Sequence, residues 1–69
     1  MRETLTRLRS LGWTVAVHND YKLNNLPMTS WLLTHPNGRW VRGEASSDEE
    51  ALVTCLREAL DTTNLARRE

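Results

Sequence analysis

Sixty-nine residues make one domain, 1–69, and nine basic residues against nine acidic ones leave no net charge. A neutral total argues against general affinity for nucleic acid or a membrane surface, which takes a basic excess, and no run of about 18 apolar residues could span a bilayer. The 39% hydrophobic content suits a compact globule rather than a disordered segment, and the lone Cys55 excludes an internal disulfide or a cysteine-rich zinc site.

Met1-Arg2-Glu3-Thr4 opens the chain with mixed charge and no apolar signal stretch, so the expected location is cytoplasmic. Leu5, Leu8 and Leu11 recur at three-residue spacing and predict a short helix over about 2–11, stopped by Gly12. From Trp13 the period changes to two. Trp13, Val15 and Val17 alternate with Thr14, Ala16 and His18, which predicts a strand with Trp13 on its core face. Residues 19–27 read as a long connection carrying Asp20, Tyr21, Leu23 and Leu26.

Met28 to Thr34 reads as a second strand around Trp31, Leu32 and Leu33. His35-Pro36-Asn37-Gly38 is a strong turn signal, followed by a third strand, Arg39 to Glu44, with Trp40 and Arg42 on one face and Val41 on the other. A tight hairpin is expected between these two strands. Ser47 with Glu50 forms a capping box at the start of the last helix, and Asp48 and Glu49 suit its positive end. Leu52, Cys55, Leu56, Ala59 and Leu60 then follow the spacing of a helical apolar face, and a frayed tail is expected from about residue 62. The expected architecture is α+β in the order α-β-β-β-α, a three-stranded antiparallel sheet with two helices.

Chemistry-bearing residues are sparse. His18, at a strand end, and His35, in a turn, are the only histidines, and Cys55 lies on an apolar helix face. No metal site, cofactor or catalytic group is expected from that set, and the chain is not expected to be an enzyme. Glu44, Asp48, Glu49 and Glu50 place four carboxylates within seven positions. They read either as helix capping with a solvated face or as an acidic knob for a basic groove. Three tryptophans exceed what so small a core needs, and tryptophan beside arginine is the composition of a binding hot spot. The candidate partner-binding residues are therefore Glu44, Asp48, Glu49 and Glu50, with Asp20, Tyr21 and Trp31 as anchors.

The order α-β-β-β-α also describes the double-stranded-RNA-binding domain, whose last helix begins with a basic, phosphate-clamping motif. Here Ser46-Ser47-Asp48-Glu49-Glu50-Ala51 stands in that place with the charge reversed, so the resemblance is one of topology. Gly12-Trp13-Thr14-Val15, Trp40-Val41-Arg42-Gly43 and the stretch from Glu44-Ala45-Ser46-Ser47 through Ala51-Leu52-Val53-Thr54-Cys55-Leu56-Arg57-Glu58-Ala59-Leu60 resemble the small phage "ABA sandwich" domains, over about two-thirds of the chain. The layout is also similar to phage-encoded anti-CRISPR proteins that block a type II CRISPR nuclease by mimicking DNA, although this chain is neutral rather than strongly acidic. These resemblances imply a phage or prophage accessory protein in the host cytoplasm. It would inhibit a bacterial defence complex, such as a CRISPR effector, by stoichiometric binding and without direct contact to nucleic acid or membrane. The alternatives are a homo-oligomeric structural or regulatory phage protein, with the open sheet face as a homodimer interface, and a nucleic-acid binder of double-stranded-RNA-binding-domain topology using Lys22, Arg39 and Arg42.

Overall fold

A computed structural model describes the backbone of residues 2–68 and the side chains of residues 2–61. The elements are α1 (Arg2–Ser10), β1 (Thr14–Leu23), β2 (Leu26–Thr34), β3 (Trp40–Ala45) and α2 (Asp48–Arg68), so the chain is an α+β domain of order α-β-β-β-α. The strands form one antiparallel sheet in the order β1-β2-β3. The expected weakening from residue 62 falls on side chains outside the described residues. No described helix is long and apolar enough to cross a membrane.

The helix ends follow local chemistry. At the end of α1, the N–H of Gly12 reaches Arg9 O at 3.0 Å and that of Trp13 reaches Leu8 O at 3.1 Å, with Gly12 at φ +98°. At the start of α2, Ser47 Oγ accepts the N–H of Glu50 at 3.3 Å and Ser47 O accepts that of Ala51 at 3.1 Å. The cap expected from Ser47 is formed.

The sheet departs from the expected layout in three ways. First, residues 19–27 are not a long connection. β1 runs to Leu23 and β2 starts at Leu26, leaving Asn24 and Asn25 as a two-residue turn with φ values of +53° and +67°. Positive φ at both central positions marks a type I′ turn, and asparagine tolerates it better than most side chains. Pro27 fits because it lies beyond β3, whose pairing to β2 begins at Thr29↔Ala45. Second, the His35-Pro36-Asn37-Gly38 motif belongs to a five-residue connection before Trp40, closed by His35 N–H to Arg39 O at 2.9 Å and Gly38 N–H to His35 O at 2.9 Å. The tight hairpin is therefore β1–β2 and not β2–β3.

Third, β1 does not keep one alternation. Val15 pairs with Leu33 but Val17 pairs with Leu32, so Ala16 is an extra residue in a bulge. The side-chain period is two, so the bulge turns Val17 to the face opposite Val15 and brings His18 and Asp20 onto the face that carries Trp31 and Thr29. Val17 is exposed rather than part of the core.

The core consists of Leu8, Trp13, Trp31, Leu33, Val41, Ala51, Leu52, Cys55 and Ala59. On α2 the buried stripe is Ala51, Leu52, Cys55 and Ala59; Leu56 is only partly buried and Leu60 is exposed. The apolar face is thus rotated toward Ala51 compared with the stripe expected from leucine spacing. The small residues Ala51, Cys55 and Ala59 face the sheet and let α2 lie close to β3. At Gly43 an added Cβ would collide with the carbonyl oxygen of Ala51 and come within 2.9 Å of Cys55 Sγ. α2 packs on β2 and β3 and α1 packs on α2, which leaves most of β1 uncovered on the helix side as well.

Candidate functional site

Two surfaces carry unusual residues, one on each side of the sheet. The first lies on the helix side, where uncovered β1 faces the start of α2. The β1 bulge sends His18 onto Trp31, its cross-strand partner, and the two rings stack with centroids 3.9 Å apart and planes 18° apart. Asp48, the first residue of α2, reaches back over the same ring. Its Oδ1 accepts the indole N–H of Trp31 at 3.1 Å and the hydroxyl of Thr29 at 3.1 Å. His18 Nε2 lies 3.1 Å from Thr29 Oγ1, 3.4 Å from Asp48 Oδ1 and 3.5 Å from Asp20 Oδ1.

Three potential ligand atoms, one each from His18, Asp20 and Asp48, lie within 4.8 Å of one another. The indole hydrogen bond is the main reason the Asp48 carboxyl is held below the usual carboxylate range; burial opposes it, and Thr29 and His18 add to it. An open groove borders this cluster, lined in part by Lys22, Pro27 and Ser47.

The second surface is the outer face of the sheet, which no described element covers. The register places Val17, Leu32 and Arg42 in one row, Asn19, Ser30 and Glu44 in the next, and Thr14, Thr34 and Trp40 at the other end. Trp40 is 66% exposed and Val17 52% exposed, while Leu32 is half-buried between them. Tyr21 donates its hydroxyl to Glu44 Oε2, and Arg42 Nη2 lies 3.3 Å from the same oxygen. That hydrogen bond, ahead of desolvation and charge, raises the Tyr21 phenol above its ordinary pKa.

The expected partner-binding residues divide between these surfaces. Glu44 and Tyr21 meet on the open face, whereas Asp20 and Asp48 meet on the helix side. Glu49 ties the helices together by accepting the Thr4 hydroxyl at 2.9 Å. Glu50 is exposed on the first turn of α2. The four carboxylates therefore do not form one acidic knob. Trp31, expected as an anchor, is 8% exposed and covered by His18, so the tryptophan available to a partner is Trp40.

Asp48 does more than complement the helix end, because it holds two sheet side chains. His18 lies within β1 and not at its end, since the strand continues to Leu23. Sequence reasoning missed its approach to Asp20 and Asp48 because the bulge that creates it has no marker residue. His35 has a structural position: Nε2 contacts Leu11 O at 3.1 Å and the ring stands edge-on to Trp13 at 5.0 Å. Cys55 is fully buried, and desolvation pushes its thiol up to about 11, which leaves it a poor nucleophile. No protein family, curated protein or solved structure matches this chain.

Proposed function

We propose that this protein acts by stoichiometric binding to another protein through the open face of its sheet, as a phage or prophage accessory protein that inhibits a bacterial defence complex of the CRISPR-effector kind. The observation that carries the binding reading is Trp40, 66% exposed on a face that no described element covers. Val17 and Leu32 extend the apolar surface, and Arg42, Tyr21 and Glu44 give it a polar border. An aromatic anchor with arginine beside it is the composition of interface hot spots. The phage setting rests on the likeness to the ABA sandwich domains.

This reading moves the docking surface away from the helix start, because Asp48 and Glu49 are occupied within the fold. The partner surface should offer an apolar pocket for Trp40 and acceptors near Arg42. Expression in a bacterium with an active CRISPR system should restore plating of a targeted phage, and Trp40→Ala at equal protein level should abolish that effect. Failure of the wild-type chain to protect phage from any CRISPR type tested would defeat the inhibitor reading.

A second reading places another copy of the chain on the same face. Arg42 and Glu44 stand two positions apart on β3, so a two-fold partner could set each arginine against the opposite glutamate. A neutral chain also has little net repulsion to oppose self-association. Sedimentation equilibrium separates the readings: a dimer that Trp40→Ala converts to monomer supports the second.

A further inference from the structure

We propose that His18, Asp20 and Asp48 form a binding site for a first-row divalent transition-metal ion such as Zn²⁺, on the helix side of the sheet and separate from the docking face. The argument begins with donor spacing. A tetrahedral zinc ion with bonds of about 2.0 Å holds its ligand atoms about 3.3 Å apart. His18 Nε2 lies 3.4 Å from Asp48 Oδ1 and 3.5 Å from Asp20 Oδ1, so both edges from the imidazole already have that length. The two carboxylates and Nε2 fall within 4.8 Å of one another, a separation that a carboxylate rotation can close.

The site is also held from behind. Trp31 stacks on the imidazole and fixes its plane, while the Trp31 indole and the Thr29 hydroxyl both bind Asp48 Oδ1. Orientation of this kind supports metal ligands. Asp48 Oδ1, the oxygen 3.4 Å from Nε2, serves as the ligand atom, and the two hydrogen bonds it accepts hold it in place. The side chains come from β1 and α2, two elements that meet only in the folded protein, so an ion here would bind the native state in preference to the unfolded chain.

The donor set selects the class of ion. One imidazole nitrogen with two carboxylate oxygens suits zinc, cobalt, nickel or iron(II). Mg²⁺ and Ca²⁺ prefer oxygen donors alone. Two carboxylates and a neutral imidazole carry two negative charges, which a divalent ion neutralises, and Lys22 at the groove rim favours an anion on the outer side. Three protein ligands leave a coordination position facing the open groove for water or an anionic group.

The test is calorimetric titration of ZnCl₂ into the chelator-stripped full chain, in a non-coordinating buffer at pH 7.5. One equivalent should bind with micromolar affinity, and millimolar Mg²⁺ should not compete. Loss of a second-shell partner typically weakens metal sites about 10- to 100-fold, so His18→Gln and Asp20→Asn should each weaken binding at least about tenfold. Asp20 is 77% exposed, so Asp20→Asn leaves the core intact and circular dichroism should match the wild type. Zinc should also raise the melting temperature of the wild type but not of Asp20→Asn. The proposal is overturned if the wild type takes up no zinc at about 100 μM, where a micromolar site would be nearly full. Undiminished binding by either folded variant also overturns it, since the ion would then sit elsewhere.

Discussion

Gly43 and Asp48 show how single residues fix the position of α2. Gly43 has no side chain because the Ala51 carbonyl and Cys55 Sγ occupy the space that a Cβ would need. The obstacle includes backbone, so Gly43→Ala must push the helix off β3. We expect it to cost about 3 kcal/mol or more, in the upper range for single substitutions. Urea unfolding would measure this, and a midpoint within error of wild type would show that the contact is looser than described. Asp48 acts across the same junction by accepting hydrogen bonds from Trp31 and Thr29. Asp48→Ala leaves both donors without that acceptor, an expected loss of about 1–2 kcal/mol because nearby water replaces part of it. Its carboxyl is held below the ordinary 3.8, so its contribution in chelator-treated protein is complete above that pH and fades as pH falls through the lower folded value. Comparing wild type with Asp48→Ala at pH 6 and pH 2.5 should show the difference between them shrink in acid. Neither role was legible in the sequence. The sequence reads Gly43 only as one residue of the third strand and Asp48 as a first-turn acid, and only the approach of α2 to the sheet gives them their partners.

At the scale of elements, order and class were legible because they follow from local periodicity. The six-residue β3 with Val41 inward and Trp40 and Arg42 outward follows directly from alternation. The two hairpins were exchanged for a physical reason. Proline and glycine at His35-Pro36-Asn37-Gly38 announce a turn strongly but do not fix its length, whereas Asn24-Asn25 announces its type I′ geometry weakly and delivers the tight connection. Asn25→Gly should therefore stabilise the protein by about 0.5 kcal/mol, since Asn-Gly is the favoured type I′ pair, and Asn25→Val should destabilise it by at least about 1 kcal/mol. A paired thermal melt checks both signs. The bulge at Ala16 was illegible because no glycine or proline marks it, and it decides which face receives His18. On α2, leucine spacing alone favoured Leu56 and Leu60, but a close helix–sheet contact selects the smaller Ala51, Cys55 and Ala59 instead. Leu52→Ala should accordingly cost about 2–4 kcal/mol, while Leu60→Ala should cost well under half of that. Equal losses would mean that Leu60 is covered in solution.

For the whole molecule, the decisive fact is that one long helix covers two strands of a three-stranded sheet. Among the described residues nothing covers the outer sheet face or the inner side of β1, and the two candidate surfaces follow from those two gaps. The excess of tryptophan signalled a surface role in the sequence, but not which tryptophan fills it. That depends on the strand faces, which place Trp31 inward and Trp40 outward. The distinction changes how the binding surface must be tested. Trp31→Ala removes a ring that is 8% exposed, stacked on His18 and hydrogen-bonded to Asp48, and should cost about 3–5 kcal/mol. In a domain of this size, about 4–8 °C of melting temperature is lost per kcal/mol, so this variant should be largely unfolded when heated modestly. Its failure to bind or self-associate would say nothing about an interface. Trp40→Ala removes a mostly exposed ring, and a free monomer should change stability by no more than about 0.5 kcal/mol. If the melting temperature of Trp40→Ala matches wild type at low protein concentration while binding is lost, Trp40 belongs to an interface with a separate partner. If wild type melts higher as its own concentration rises and Trp40→Ala does not, the ring is buried between copies of this chain, because association stabilises the folded state by mass action.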